Sequence, residues 1–419
     1  MFRFDKVSRS ARSAMALTML AVVGACSGDT NNQVLGPQPT GVNSIFQSYV
    51  AIGNSITAGY QSSGIVDATQ QAAYPRLLAI QMNTRYAYPS LQGRGCAPPV
   101  ANFQTQAGAG TITAAQRPTI CDARTAPAPQ ILNNVAVPGA TSLDPTSAAT
   151  PATNTLTSLF LSGKTQVQKA LEAKPTFASI WIGNNDVLGP AVGDGRTASL
   201  AAMTSVTTFQ TNYDAMISQL TAGAPNLKGI LIGVVQVANA PIMFPAAAMS
   251  TPAFKGGFDA IAGTTTTLDA SCLSTGAGAT SLINTFLAFQ IRTGAHPAIV
   301  ACVPGGASGA LPAPVGDILV LDPTEQTTVS ARINAYNTYI AAKANTLGWA
   351  YADPNPLLVT LKAGNLVIRS TPSFATTGTF GTGMSLDGIH PAAGVQKEIA
   401  NALIPIINAK YSTTLTLVP

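Results

Sequence analysis

Residues 48–60 read Ser48-Tyr49-Val50-Ala51-Ile52-Gly53-Asn54-Ser55-Ile56-Thr57-Ala58-Gly59-Tyr60. A short apolar run stops at a glycine and gives way to a polar turn, the pattern of a strand that hands over to a helix. Such a turn lifts a serine hydroxyl to the C-terminal edge of the strand, where open α/β sheets place their active sites. The N–H of that serine then lies at a helix N-terminus and can face a developing oxyanion. Taken alone, a glycine–serine turn is also a common structural turn.

The same alternation continues along the chain. Residues 177–182, 229–237, 317–321 and 349–352 are strand candidates, and 134–137 is a short apolar run ending at the turn Pro138-Gly139. Residues 156–173, 200–220, 324–347 and 393–409 carry helical spacing, the last with Val395, Ile399, Leu403, Ile406 and Ile407 on one side. The pattern predicts a three-layer α/β/α fold, its mainly parallel sheet covered on both faces. The apolar run 229–249 is interrupted by Gln236, Asn239, Pro241 and Pro245, so it reads as a buried strand and a loop, not as a membrane span. Two stretches break the alternation, 88–130 and 239–316, both rich in Gly, Ala, Pro and Thr. They read as insertions packed over the functional edge of the sheet, or as surface decoration.

Composition narrows the chemistry. The chain has 419 residues, 46% hydrophobic and only 9% charged, against about 25% charged in an ordinary soluble domain. That much apolar material excludes a disordered chain. Two histidines exclude a three-histidine zinc site and leave two candidates for a histidine base. Neither a cofactor nor a metal is expected, and the chain is read as a monomer.

Residues 1–25 carry Arg3, Asp5, Lys6, Arg9 and Arg12, then an apolar run that ends in Gly24-Ala25-Cys26. A basic head, a short apolar run and small residues before a cut describe a secretory signal. Its end resembles the bacterial lipobox, which implies a lipidated Cys26, a tether over 26–44 and an exported, membrane-anchored lipoprotein. An ordinary signal peptide with a chance cysteine is the other reading. Setting aside the four basic residues and one acidic residue of the leader leaves 18 basic against 16 acidic. That balance gives no argument for nucleic acid as a partner. Four cysteines remain, Cys96, Cys121, Cys272 and Cys302, with no C-x-x-C spacing. An even count in an exported chain favours disulfides. Proximity suggests Cys96–Cys121 and Cys272–Cys302, among three possible pairings.

Three further stretches carry candidate chemistry. Asp387-Gly388-Ile389-His390-Pro391 offers a general base with an acid three residues before it, able to fix the imidazole tautomer. Gly183-Asn184-Asn185-Asp186 follows a buried strand and offers a side-chain amide as oxyanion donor. Asn134–Ala140 ends on Gly139, whose N–H can approach a ligand closely. Each alone also reads as an ordinary turn or helix cap. His296, the second histidine, has no carboxylate nearby in sequence and reads as a bystander.

In this order the four stretches resemble the SGNH (GDSL) hydrolase family. The resemblance spans roughly Tyr49 to Tyr411 apart from the insertions, and 347–353 looks like that family's last core strand. It implies a flavodoxin-like hydrolase domain over 45–415 that cleaves carboxylic esters, as esterases, lipases and deacetylases do. Ser55 matches the nucleophile, Asp387 and His390 the acid and base, and Ser55, Gly139 and Asn185 the oxyanion donors. One position departs from the pattern: Asn54 stands where the family has Asp. The implied substrate is an acyl lipid or an acylated glycan. The competing reading is a lipid-anchored surface binding protein that keeps the fold without catalysis.

Overall fold

The computed structural model describes residues 39–147, 155–192, 200–273, 275–303, 319–361 and 366–419. The leader, Cys26, most of the 26–44 tether and the end of the second insertion lie outside the described residues.

Four parallel strands form the central sheet: β1 (Tyr49–Gly53), β2 (Phe177–Trp181), β3 (Lys228–Ile232) and β4 (Ala350–Ala352), in spatial order 1-2-3-4. Beyond β1 lies residues 133–137, which Ala51 joins through a parallel bridge to Asn134. The Ala51 N–H donates to the Asn133 carbonyl at 2.7 Å, and the Val137 N–H donates to the Gly53 carbonyl at 3.2 Å. This segment is no full strand, as the Asn133 and Asn134 side-chain amides reach the carbonyls of Tyr49 and Thr57 instead. The chain therefore adds its second element on one side of β1 and all later strands on the other. The winding reverses beside β1, at the crevice where doubly wound sheets bind ligands.

Every residue of β1 and β2 is buried, because helices cover both faces. Tyr49 and Ala51 face α2 (Tyr74–Gln81) and α10 (Ala393–Tyr411), joining Tyr74, Leu78, Ile399, Leu403 and Ile407 in one core. Val50 and Ile52 face α4 (Gln166–Glu172), α6 (Val206–Gly223) and α9 (Pro323–Leu347), with Phe209, Tyr213, Ile333 and Tyr336. Phe209 and Tyr336 stack with centroids 3.9 Å apart and tie α6 to α9. Fully burying such a side chain stabilises the fold by about 1.5–3 kcal/mol. The 25-residue α9 starts at an Asp322–Glu325 capping box with Pro323 in its first turn, and ends at Gly348, φ 65°. The three-layer fold expected from the alternation is the one observed.

Several boundaries differ from the sequence reading. The expected helix 156–173 is two helices, α3 (Thr155–Leu161) and α4, because Ser162 and Gly163 turn into left-handed backbone and Thr165 caps a new start. The helix expected from 200 begins at Val206, where Ser205 supplies the cap. The strand expected over 229–237 ends at Ile232; beyond it, Val234 packs in the core and Val235 and Val237 line a pocket. Val320–Leu321 does not join the parallel sheet but pairs antiparallel with Leu282–Asn284 in a separate small sheet. The second insertion holds helices of its own, α7 (Pro252–Ala262) and α8 (Leu287–Arg292), packed together against the first core. Both disulfides suggested by proximity are present, Cys96–Cys121 and Cys272–Cys302.

Candidate active site

Ser55 is the first residue of α1 (Ser55–Ala58), directly after β1. Asn54 caps this helix, its Oδ1 accepting the Ile56 N–H at 3.2 Å. The cap needs only an acceptor oxygen, which Asn supplies as Asp does. Asn54 is fully buried, and its Nδ2 has no hydrogen-bond partner among the described residues. The N–H of Ser55, as a first-turn donor, has no carbonyl within the helix to bond.

His390 approaches from the loop before α10. Its Nε2 is 2.8 Å from Ser55 Oγ, and its Nδ1 is 2.8 Å from Asp387 Oδ2. Ser55, Asp387 and His390 are all buried to less than a tenth exposure. Asp387 accepts further hydrogen bonds: the backbone N–H groups of Ile389 and His390 and the Ser385 hydroxyl on Oδ1, and the Ser63 N–H on Oδ2. Burial alone would raise its carboxyl. The electrostatic pull of the adjacent His390 ring and the donors from His390 and Ser63 outweigh that and hold it far below the ordinary carboxylate range. Asp387 is thus a fixed anion aimed at Nδ1, the arrangement that sets Nε2 as an acceptor toward Ser55. The Tyr60 ring stands edge-on to the imidazole at 5.0 Å, its hydroxyl pushed up to about 12 by burial and by Asp387.

Asn185 opens α5 (Asn185–Val192) at the C-terminal end of β2, across the crevice from Ser55. One of its Nδ2 hydrogens goes to the Ala140 carbonyl at 2.9 Å. That bond ties α5 to the turn holding Gly139, whose φ of 82° requires glycine. The neighbouring Asp186 is buried, and its carboxyl is raised by desolvation despite accepting the N–H and hydroxyl of Ser142. Asp186 is therefore a clamp between α5 and the 140–142 turn. Ser55, Asn185 and His390 line one pocket, walled by Ile56, Trp181, Leu188, Val235, Ile368 and Val395. Asn239, Ala240 and Pro241 of the second insertion also line it. His296 lies elsewhere, in the loop after α8, with Nδ1 against the Pro297 carbonyl. No group of three or more His, Cys, Asp or Glu among the described residues is arranged to hold a metal ion. No helix among them is long and apolar enough to cross a membrane.

Ser63, Gln396 and Arg117 are not singled out by the sequence. Their contacts join segments far apart in the chain, so no local motif announces them.

A family model described as GDSL-like lipase/acylhydrolase matches residues 49–403. Among solved structures, the chain is similar to an acetylxylan esterase from Geobacillus stearothermophilus, with 11% identity and a TM-score of 0.37 over 86% of this chain and 94% of that one. It is similar to an extracellular lipase from Streptomyces rimosus, with 14% identity and a TM-score of 0.33 over 87% and 99%. A phospholipase A1 from Streptomyces albidoflavus matches with 15% identity and a TM-score of 0.30 over 87% and 99%. No curated protein matches the chain.

Proposed function

The chain belongs to the GDSL-like lipase/acylhydrolase family, and on that premise we propose that it hydrolyses carboxylic esters through an acyl-enzyme on Ser55. The observation that carries this reading is the unbroken hydrogen-bonded chain Ser55 Oγ–His390–Asp387 at the mouth of an apolar pocket. As Ser55 Oγ attacks the ester carbonyl carbon, His390 Nε2 takes its proton and the carbonyl π pair becomes an oxyanion. The Ser55 N–H, the Gly139 N–H and the second Asn185 amide hydrogen receive that charge. Collapse expels the alcohol, which leaves with the proton from His390. Water then repeats the sequence on the acyl group, releasing the acid and restoring Ser55.

The substrate is an acyl lipid or an acylated glycan with an uncharged acyl group. What supports this is the pocket lining, which carries no Asp, Glu, Lys or Arg among the described residues. Purified protein should cleave nitrophenyl acyl esters and prefer uncharged over carboxylate-bearing acyl groups. Equal turnover of both would contradict the pocket assignment.

We propose, further, that the chain is exported and held at the bacterial cell envelope by lipid on Cys26. The basic leader ending in Gly24-Ala25-Cys26 supports this, as do two disulfides, which persist in oxidising compartments. In bacterial cells fed labelled palmitate, the chain should carry label and sediment with membranes. Cys26→Ser should lose both, and an unlabelled parent chain would sink the proposal.

A further inference from the structure

We propose that Arg117, carried by the insertion that Cys96–Cys121 closes, is a positioning residue for the active site. It acts through Ser63 on Asp387, and the inference rests on the hydrolase reading above. The contacts form a short chain. Arg117 Nη1 donates to the Ser63 carbonyl at 2.7 Å and to the Pro98 carbonyl at 3.3 Å. The N–H of the same Ser63 donates at 2.7 Å to Asp387 Oδ2, the oxygen that also holds His390 Nδ1. One residue earlier, the Ser62 N–H donates to Ser385 Oγ at 2.9 Å, and Ser385 Oγ donates to Asp387 Oδ1 at 2.9 Å. The Leu386 N–H returns a bond to Ser62 Oγ at 3.0 Å.

This turn has an unfavourable backbone. Ser62 and Ser63 sit at φ 52° and 54°, in the left-handed region where a Cβ crowds the following carbonyl. Such residues persist only where the surroundings over-determine them. Here the insertion supplies much of the surroundings. The Val100 N–H donates to the Ser62 carbonyl at 2.7 Å, the Cys96 N–H to the Ile65 carbonyl at 3.0 Å, and the Ile65 N–H to the Ala97 carbonyl at 3.0 Å. Gly64 sits so close to Ala97 and Pro99 that a Cβ would stand 2.5 Å from their backbone atoms. The half-buried Arg117 bridges both sides of this contact, and its charge is felt at Tyr60 and Asp387. Removing the guanidinium frees the Ser63–Gly64 peptide, and with it the φ and ψ of Ser63 that set how the Ser62–Ser63 peptide points its N–H at Asp387. Asp387 Oδ2 then loses a fixed donor, and its aim at Nδ1 loosens.

The test compares Arg117→Met and Arg117→Lys with the parent enzyme. Active sites are counted by labelling with a serine-directed phosphonate, so that kcat refers to competent molecules and not to folded fraction. Loosened aim should lower kcat per labelled site by about tenfold in Arg117→Met, since sub-ångström misplacement of catalytic groups has costs of that order. KM should stay within about twofold, because no substrate contact is lost. Arg117→Lys, which keeps the charge and an N–H donor, should recover part of the rate. Wild-type kcat per labelled site in Arg117→Met overturns the proposal. If that variant does not fold, Arg117→Lys is read instead. Lysine lacks the planar, preset fork that holds Nη1 against both carbonyls, and its ammonium ends a flexible stem and is more strongly hydrated, so a fall of about threefold supports positioning and an unchanged kcat overturns it. A parent enzyme that takes up no phosphonate fails the hydrolase reading. A labelled parent beside an unimpaired Arg117→Met fails this inference alone.

Discussion

His390 Nε2 stands 2.8 Å from Ser55 Oγ although 335 residues separate them in the chain. The meeting is enforced by Gln396, fully buried in the first turn of α10. Its Nε2 donates to the Ile56 carbonyl at 3.1 Å, and its Oε1 accepts the Tyr74 N–H at 2.9 Å. The start of the last helix is thereby fastened to the helix that begins with Ser55.

Asp387→Asn should leave the fold intact and lower kcat by about four orders of magnitude, the cost of a wrong imidazole tautomer in a serine hydrolase. Single-turnover rates with a nitrophenyl ester measure this. A loss under about tenfold would mean that Asp387 does not orient His390.

The same carboxylate gives a pH signature. Its folded-state pKa is depressed below the ordinary value of about 3.9, so the stability it contributes is present above that pH and lost as pH falls further. Asp186, raised by burial, acts in the opposite sense. The readout is therefore the difference between parent and Asp387→Asn. Urea midpoints should converge as the pH is lowered below about 4, and a constant gap would contradict the assignment.

Asn185→Ala removes one oxyanion donor and should lower kcat by about 10²–10³-fold with little change in KM. Because the same amide holds the Ala140 carbonyl, a small loss of thermal stability accompanies it. A raised KM at unchanged kcat would place Asn185 in ground-state binding instead.

Asn54→Asp keeps the cap on Ile56 and removes the unpartnered Nδ2, so turnover should stay within about tenfold of the parent. Asn54→Ala loses the cap and should cost about 1 kcal/mol of stability. Thermal unfolding beside esterase rates separates the two. Abolished activity in Asn54→Asp would show that the amide itself is needed.

Much of this site was legible in the sequence because its reacting groups sit in short local patterns. Ser55 follows an apolar strand, Asn185 another, and Asp387 and His390 share one turn, so each announces itself within a few residues. The supporting groups do not. Ser63 meets Asp387 across 324 residues and Arg117 meets Ser63 across 54, through backbone conformations that no composition encodes. Apolar runs also overstate regularity. Val234, Val235 and Val237 are apolar through packing and pocket lining, not through sheet pairing, and the periodicity of 156–173 continues across Ser162 and Gly163, where the backbone turns left-handed.

The central claim is that Ser55 is the nucleophile. The direct measurement is mass-spectrometric mapping of the adduct after treating the folded protein with a serine-directed fluorophosphonate. A single adduct on the peptide containing Ser55, absent in Ser55→Ala along with ester hydrolysis, is the result expected. An adduct on another serine, or undiminished hydrolysis by Ser55→Ala, would contradict it.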